Sequence, residues 1–205
     1  MGLSVLAWLG AMAIGVSLGL LGSGGSILTV PVLVYLVGQD EKLAIAGSLA
    51  IVGSIALAGS LPYLKKKLVD WRIVVLFGMP GMAGTYVGAW LATWVSGLVQ
   101  LALFAVVMLL ASWQMLKPVV LDDTPHEPRE VWKIGLDGLV VGILTGLVGV
   151  GGGFLIVPAL VLLGGLSMHR AVATSLVIIA LKSFTGFWKY LDVLDSQGLA
   201  LDWGV

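Results

Sequence analysis

Gly22-Ser23-Gly24-Gly25-Ser26 is followed by a short apolar run that reaches Pro31, and Gly149-Val150-Gly151-Gly152-Gly153 by the same kind of run reaching Pro158. Both glycine-rich breaks lie in sequence apolar enough for a bilayer. Non-helical backbone at membrane depth is tolerated only where protein buries it or where it lines a cavity. A pair of such breaks at matching points of two halves points to a binding site between them.

The matching is measurable. Shifting the chain by 127 residues aligns 15–64 with 142–191 without a gap, and 21 of 50 positions are identical. The identities include Gly15/Gly142, Gly19/Gly146, Gly22/Gly149, Gly24/Gly151, Gly25/Gly152, Pro31/Pro158, Ser48/Ser175 and Gly59/Gly186. Apolar composition alone produces scattered Leu and Val matches, not aligned glycines, prolines and serines. The pattern reads as a duplication.

Composition sets the compartment. Of 205 residues, 59% are hydrophobic and 11% charged, and mean hydropathy is +1.09. A soluble domain carries about 25% charge, so the sequence reads as an integral membrane protein. Net charge is zero, which gives no reason to expect a nucleic-acid partner. Without cysteine there are no thiolate metal sites or disulfides. No basic n-region precedes the first apolar segment, which therefore reads as a retained helix.

Charges cluster and so mark the loops: none precedes Asp40, and none falls between Lys42 and Lys65, Arg72 and Lys117, or Asp137 and Arg170. At ~20 apolar residues per crossing, the spacing predicts helices near 3–21, 43–64, 72–94, 98–117, 132–149 and 170–191. The stretches 26–37 and 153–164 are too short to cross alone and read as half-helices or re-entrant segments. Length favours the re-entrant form; crossing segments would instead make the two halves inverted. Trp71, Trp94, Trp113, Trp132, Trp188 and Trp203 fall near expected helix ends, as interfacial anchors do. The fold expected is thus all-α and polytopic, with a first repeat at 1–117, a polar linker at 118–131 and a second repeat at 132–205. Asp202-Trp203 matches Asp70-Trp71, which opens a two-helix tail in the first half, so the second repeat is expected to lack its last two helices. The basic cluster Lys65, Lys66, Lys67 and Arg72 is expected on the cytoplasmic face of a cell (inner) membrane.

The doubled Gly-Leu-Leu-Gly-Ser-Gly-Gly (19–25) and Gly-Leu-Val-Gly-Val-Gly-Gly-Gly (146–153) segments, each running to a proline, together resemble the sulfite exporter TauE/SafE family of membrane permeases. The Ala/Thr/Ser segment at 171–176 and its first-half copy at 44–49 extend the resemblance over essentially the whole chain. Ser26, where a third glycine is usual, and the absent closing helices depart from it. The resemblance implies a multi-pass carrier for sulfite, sulfonates or related sulfur-containing organic anions.

Residue chemistry suggests how an anion would be held. A half-helix starting after a glycine loop presents unpaired N–H groups and the positive end of its dipole. Gly22, Gly24, Gly25, Gly149, Gly151, Gly152 and Gly153 let an anion approach that backbone, and Ser23 and Ser26 add hydroxyl donors. The bland alternative is that the glycines only allow close helix packing. Lys182 stands twelve positions into its helix, about 18 Å from the start. A lysine at that depth costs roughly 2.5–3.5 kcal/mol, which an anionic substrate would offset; snorkelling towards Lys189 is the competing explanation. Its repeat partner is Ile55. Ser48, Thr174 and Ser175 occupy early positions of the third segment in each half and are candidate donors, with interhelical bonding as the alternative. Lys42, His169 and Arg170 stand at helix mouths, and Asp137 reads as interfacial.

With two histidines, no cysteine and no paired intramembrane acids, enzymatic chemistry lacks its groups, and neither a cofactor nor a metal is expected. The partners expected are a small anionic substrate and the lipid bilayer; homo-oligomerisation is left open. The sequence is read as a permease working by alternating access, against an anion channel or a non-transporting scaffold.

Overall fold

The computed structural model describes Met12 and residues 25–116, 130–149, 152–162 and 166–196. Among these the fold is entirely helical. Helix α1 covers Gly25–Pro31 and continues as a π turn over Val32–Leu36. Then follow α2 (Glu41–Lys65), α3 (Trp71–Trp94), α4 (Gly97–Leu116), α5 (Val131–Val148), α6 (Gly153–Leu162) and α7 (Met168–Ser196). Three of them, α2, α3 and α7, are long and apolar enough to cross a membrane. The expected 3–21 helix, most of the linker and Asp202-Trp203 lie outside the described residues.

Local chemistry sets the ends. The Asp40 carboxylate accepts from the Lys42 N–H at 3.0 Å and starts α2. The Asp70 carboxylate accepts from the Ile73 N–H at 3.2 Å and starts α3. Within α3 a π turn at Val74–Gly78 abuts Pro80, whose ring nitrogen cannot donate to the ladder. Helix α5 stops because Gly149 turns left-handed at φ 74°, its N–H closing on the Thr145 carbonyl at 2.8 Å. Gly152, also left-handed at φ 71°, restarts the chain, and its carbonyl accepts from the Leu155 and Ile156 N–H groups.

Contacts between helices give their directions. In α2 and α7, Leu49 meets Gly186, Gly53 meets Ser183 and Gly59 meets Leu176, so these two run antiparallel. Gly78, Gly81 and Thr85 of α3 meet Ile178, Lys182 and Gly186 in that order, so α3 and α7 are parallel. Phe77, Gly81 and Thr85 likewise meet Gly138, Gly142 and Gly146, so α3 and α5 are parallel as well. Helices α5 and α7 therefore point the same way, and residues 149–167 must carry the chain back across the bundle between them. A re-entrant segment would return to its own side and leave the two antiparallel. The preference for re-entrance was wrong for this segment, because α5 and α7, both packed parallel to α3, leave their facing ends on opposite sides of the bundle.

The packing of α3 on α5 is backbone on backbone. A Cβ at Gly84 or Gly88 would collide with the Leu139 or Ile143 carbonyl oxygen. One at Gly138, Gly142 or Gly146 would collide with that of Phe77, Gly81 or Thr85. Small residues four apart let helices approach this closely, which in lipid supplies dispersion contact where no hydrophobic drive exists. Two apolar clusters flank the bundle's middle. One gathers Phe77, Ile156, Leu160 and apolar residues of α7 between Ala171 and Ala180; the other gathers Val30, Ile45, Leu49, Phe104, Tyr190, Val193 and Leu194. Lys182 and Ser183 lie between them along α7.

Candidate functional site

Helix α7 has 29 residues, and Lys182 is its midpoint, with fourteen residues, or about 21 Å, to either end. Its side chain is fully buried. The stem lies in a notch where α3 and α5 carry no side chains: a Cβ on Gly81 would stand 3.2 Å from the lysine Cδ and 3.3 Å from the Gly138 carbonyl oxygen. Among the described residues the Nζ has no hydrogen-bond partner. Snorkelling to an end of α7 would have to bridge about 21 Å, far more than a lysine side chain reaches.

Ser183 is fully buried next to it and faces α2, its Cβ 3.2 Å from where a Cβ on Gly53 would stand. Its Oγ also lacks a partner among the described residues. Most buried hydroxyls of this bundle bond a carbonyl three or four residues back, as Thr85 does to Gly81 at 2.8 Å and Ser175 to Val172 at 2.9 Å. Two adjacent unpaired polar atoms at mid-bundle are therefore exceptional, since buried polar groups in proteins are nearly always bonded. The sequence reading singled out Lys182 and missed Ser183. The available signal was position: Ser183 is adjacent to the lysine, but a serine in a helix ordinarily satisfies itself.

The second glycine break lies elsewhere on the same axis. Gly149 packs on Ile45 and Gly152 on Thr145, at distances that leave no room for a Cβ on either. The Ser48 hydroxyl reaches the Gly149 carbonyl at 2.7 Å and the Ile45 carbonyl at 2.8 Å, so it ties α2 to the break. The Leu147 carbonyl accepts from Gln100 Nε2 at 2.7 Å and from the Tyr190 hydroxyl at 3.2 Å, and Gln100 Nε2 also donates to the Tyr190 oxygen at 2.9 Å. These contacts put the break at the level of Tyr190, some two helical turns from Lys182. Gly153 opens α6, and in the first half Gly25 opens α1 with Ser26 next. Gly22, Ser23, Gly24 and Gly151 lie outside the described residues. Helices α1 and α6 touch.

The remaining candidates serve the face where α3 and α7 begin. Thr174 Oγ1 accepts from the Asp70 N–H at 3.0 Å, and the Arg170 guanidinium stands 3.8 Å from the Asp70 carboxylate. His169 is exposed. On the opposite face Lys42 Nζ donates to the Ala92 carbonyl at 3.4 Å, near the C-terminus of α3, where a cation is favoured. Asp137, one residue before Gly138, is half-buried. No group of three or more His, Cys, Asp or Glu side chains among the described residues could hold a metal ion. The structure thus joins Ser48 to the break and fastens Thr174 to Asp70, and among the described residues it leaves the Lys182 Nζ and Ser183 Oγ, neighbours on α7, buried without a hydrogen bond.

Comparison with known proteins gives a consistent picture. The family model described as "Sulfite exporter TauE/SafE" matches residues 7–205. A "probable membrane transporter protein" of Xylella fastidiosa (strain 9a5c) is 34% identical over 171 residues, covering 81% of this chain and 66% of the relative. "Probable membrane transporter protein YunE" of Bacillus subtilis (strain 168) is 32% identical over 192 residues, 82% of this chain and 70% of the relative. "Probable membrane transporter protein MJ0441" of Methanocaldococcus jannaschii is 27% identical over 188 residues, covering 87% and 70%. The chain spans about two thirds of the length of these relatives. No solved structure gives a significant match.

Proposed function

We propose a transport reaction on one premise: the chain belongs to the sulfite exporter TauE/SafE family, a family of membrane transporters. The reaction is carriage of a small oxyanion, a sulfite, sulfonate or related sulfur-containing anion, through a site at mid-bundle. The observation that carries this reading is Lys182, a fully buried side chain at the midpoint of α7 with no hydrogen-bond partner among the described residues. Intramembrane ionisable groups are costly and mark substrate pathways. A ligand of opposite charge offsets that cost; an empty scaffold gains nothing from it.

The two halves work as inverted repeats. Gly59 and Leu176 are the repeat equivalents of Gly186 and Leu49, and the contacts Gly59–Leu176 and Leu49–Gly186 are mates under one two-fold axis in the membrane plane. Alternating access then exchanges the conformations of the halves around a site near that axis. The face with Lys65, Lys66, Lys67, Arg72, Lys133 and Arg170 is cytoplasmic; the opposite face mixes Lys42 and Lys189 with Asp40, Glu41 and Asp192. Trp71 and Trp132 at one level, and Trp94 and Trp188 at the other, are exposed as interfacial anchors.

The test is a thermal-shift panel of sulfite, sulfate, thiosulfate, taurine and sulfoacetate on the detergent-purified full-length chain, with Lys182→Leu alongside. At least one of these anions raises the melting temperature of the wild type and not of the variant. If every anion shifts both proteins equally, the site is wrongly placed.

A further inference from the structure

Resting on the reading of Lys182 as the anion-holding group, we infer that Lys182 and Ser183 together form a site for a singly charged oxyanion with at least two acceptor oxygens, and that dianions are rejected there. Charge is the first argument. Among the described residues Lys182 is the one cationic side chain buried at mid-bundle, since the buried Lys42 is at the opposite helix end and engaged with Ala92. One ammonium neutralises one negative charge. A second charge carried to the same depth would stay uncompensated in a medium that penalises it heavily.

Hydrogen-bond capacity is the second argument. Lys182 Nζ and Ser183 Oγ are two donors, both fully buried and both unpartnered among the described residues. Consecutive residues on a helix point about 100° apart, and the two face different helices, Lys182 towards Gly81 of α3 and Ser183 towards Gly53 of α2. A monatomic anion offers one point to such divergent donors. A sulfonate or hydrogen sulfite offers several oxygens on one sulfur, so one can meet the ammonium and another the hydroxyl. The facing glycines matter to this geometry. A side chain at Gly81 would crowd the Lys182 stem, and one at Gly53 the Ser183 Cβ, displacing the carbons that carry the two donors.

The experiment is competition against labelled methanesulfonate counterflow in proteoliposomes of the full-length chain, with unlabelled methanesulfonate, chloride and sulfate as competitors. Methanesulfonate competes best, and sulfate competes roughly a hundredfold more weakly, the ratio that one uncompensated charge at mid-membrane implies. Ser183→Ala weakens methanesulfonate about tenfold, as loss of one hydrogen bond to a charged group does, and leaves chloride unchanged. The variant removes an unpartnered hydroxyl and keeps the helix, so it folds. Sulfate competing as well as methanesulfonate overturns the charge argument, and an unmoved or equally shifted chloride and methanesulfonate pair in Ser183→Ala overturns the role of the hydroxyl. In both cases loss of counterflow in Lys182→Met would leave the anion reading standing. Wild-type counterflow in Lys182→Met would remove that reading and this inference with it.

Discussion

Replacing Lys182 by methionine should make the ligand-free protein more stable and abolish its transport. The two side chains have similar length, so methionine fills the notch beside Gly81 with its thioether where the lysine Cδ and Cε now lie. What disappears is a polar terminus that is fully buried, about 21 Å from either end of α7 and unbonded among the described residues. Placing a lysine at that depth costs roughly 2.5–3.5 kcal/mol on insertion scales, which is the ceiling on the gain. Imperfect packing of the thioether takes back part of it, about 1 kcal/mol for a near-isosteric core exchange. A net stabilisation of about 1–3 kcal/mol remains. It would be read from reversible unfolding in mixed micelles without substrate, and transport from anion flux in vesicles. A variant less stable than the wild type by a similar amount would overturn this expectation. It would mean that the lysine is satisfied within the fold, because breaking a buried pair destabilises strongly.

Gly142→Ala should cost about 1–3 kcal/mol of stability because its Cβ meets the Gly81 carbonyl, while Gly135→Ala, with ordinary contacts at 3.6 Å, should be neutral or slightly stabilising; chemical denaturation separates them. Ser48→Ala removes the tie to the Gly149 carbonyl and should cost about 0.6–1.7 kcal/mol, with the Gly149 N–H becoming more sensitive to hydrogen exchange.

Hydropathy and charge spacing placed the described helices to within a few residues, because loops must carry the charge that lipid excludes. The expected 43–64 and 72–94 became Glu41–Lys65 and Trp71–Trp94, and both short segments begin at their breaks. Direction was harder. Length argued for re-entrance at 153–164, but length cannot tell a segment that turns back from one that is part of a longer crossing. That distinction lives in contacts such as Gly81 with Lys182, between residues a hundred positions apart. The glycines divided in the same way. Gly149 and Gly152 were legible as a break, whereas Gly84, Gly88, Gly138, Gly142 and Gly146 were not read as one interface. Their four-residue spacing was the available signal, yet which helix they face is tertiary information. Lys182 stood out because charge in lipid is rare. Ser183 did not, since only its missing partner distinguishes it.

In the proposed transport an anion sits against Lys182 while it crosses. This is tested most directly by exchange of labelled methanesulfonate across proteoliposomes, comparing wild type with Lys182→Met at matched, folded protein density. Saturable exchange is expected in the wild type and background flux in the variant, although the variant is the more stable protein. Equal, saturable exchange in both would contradict it.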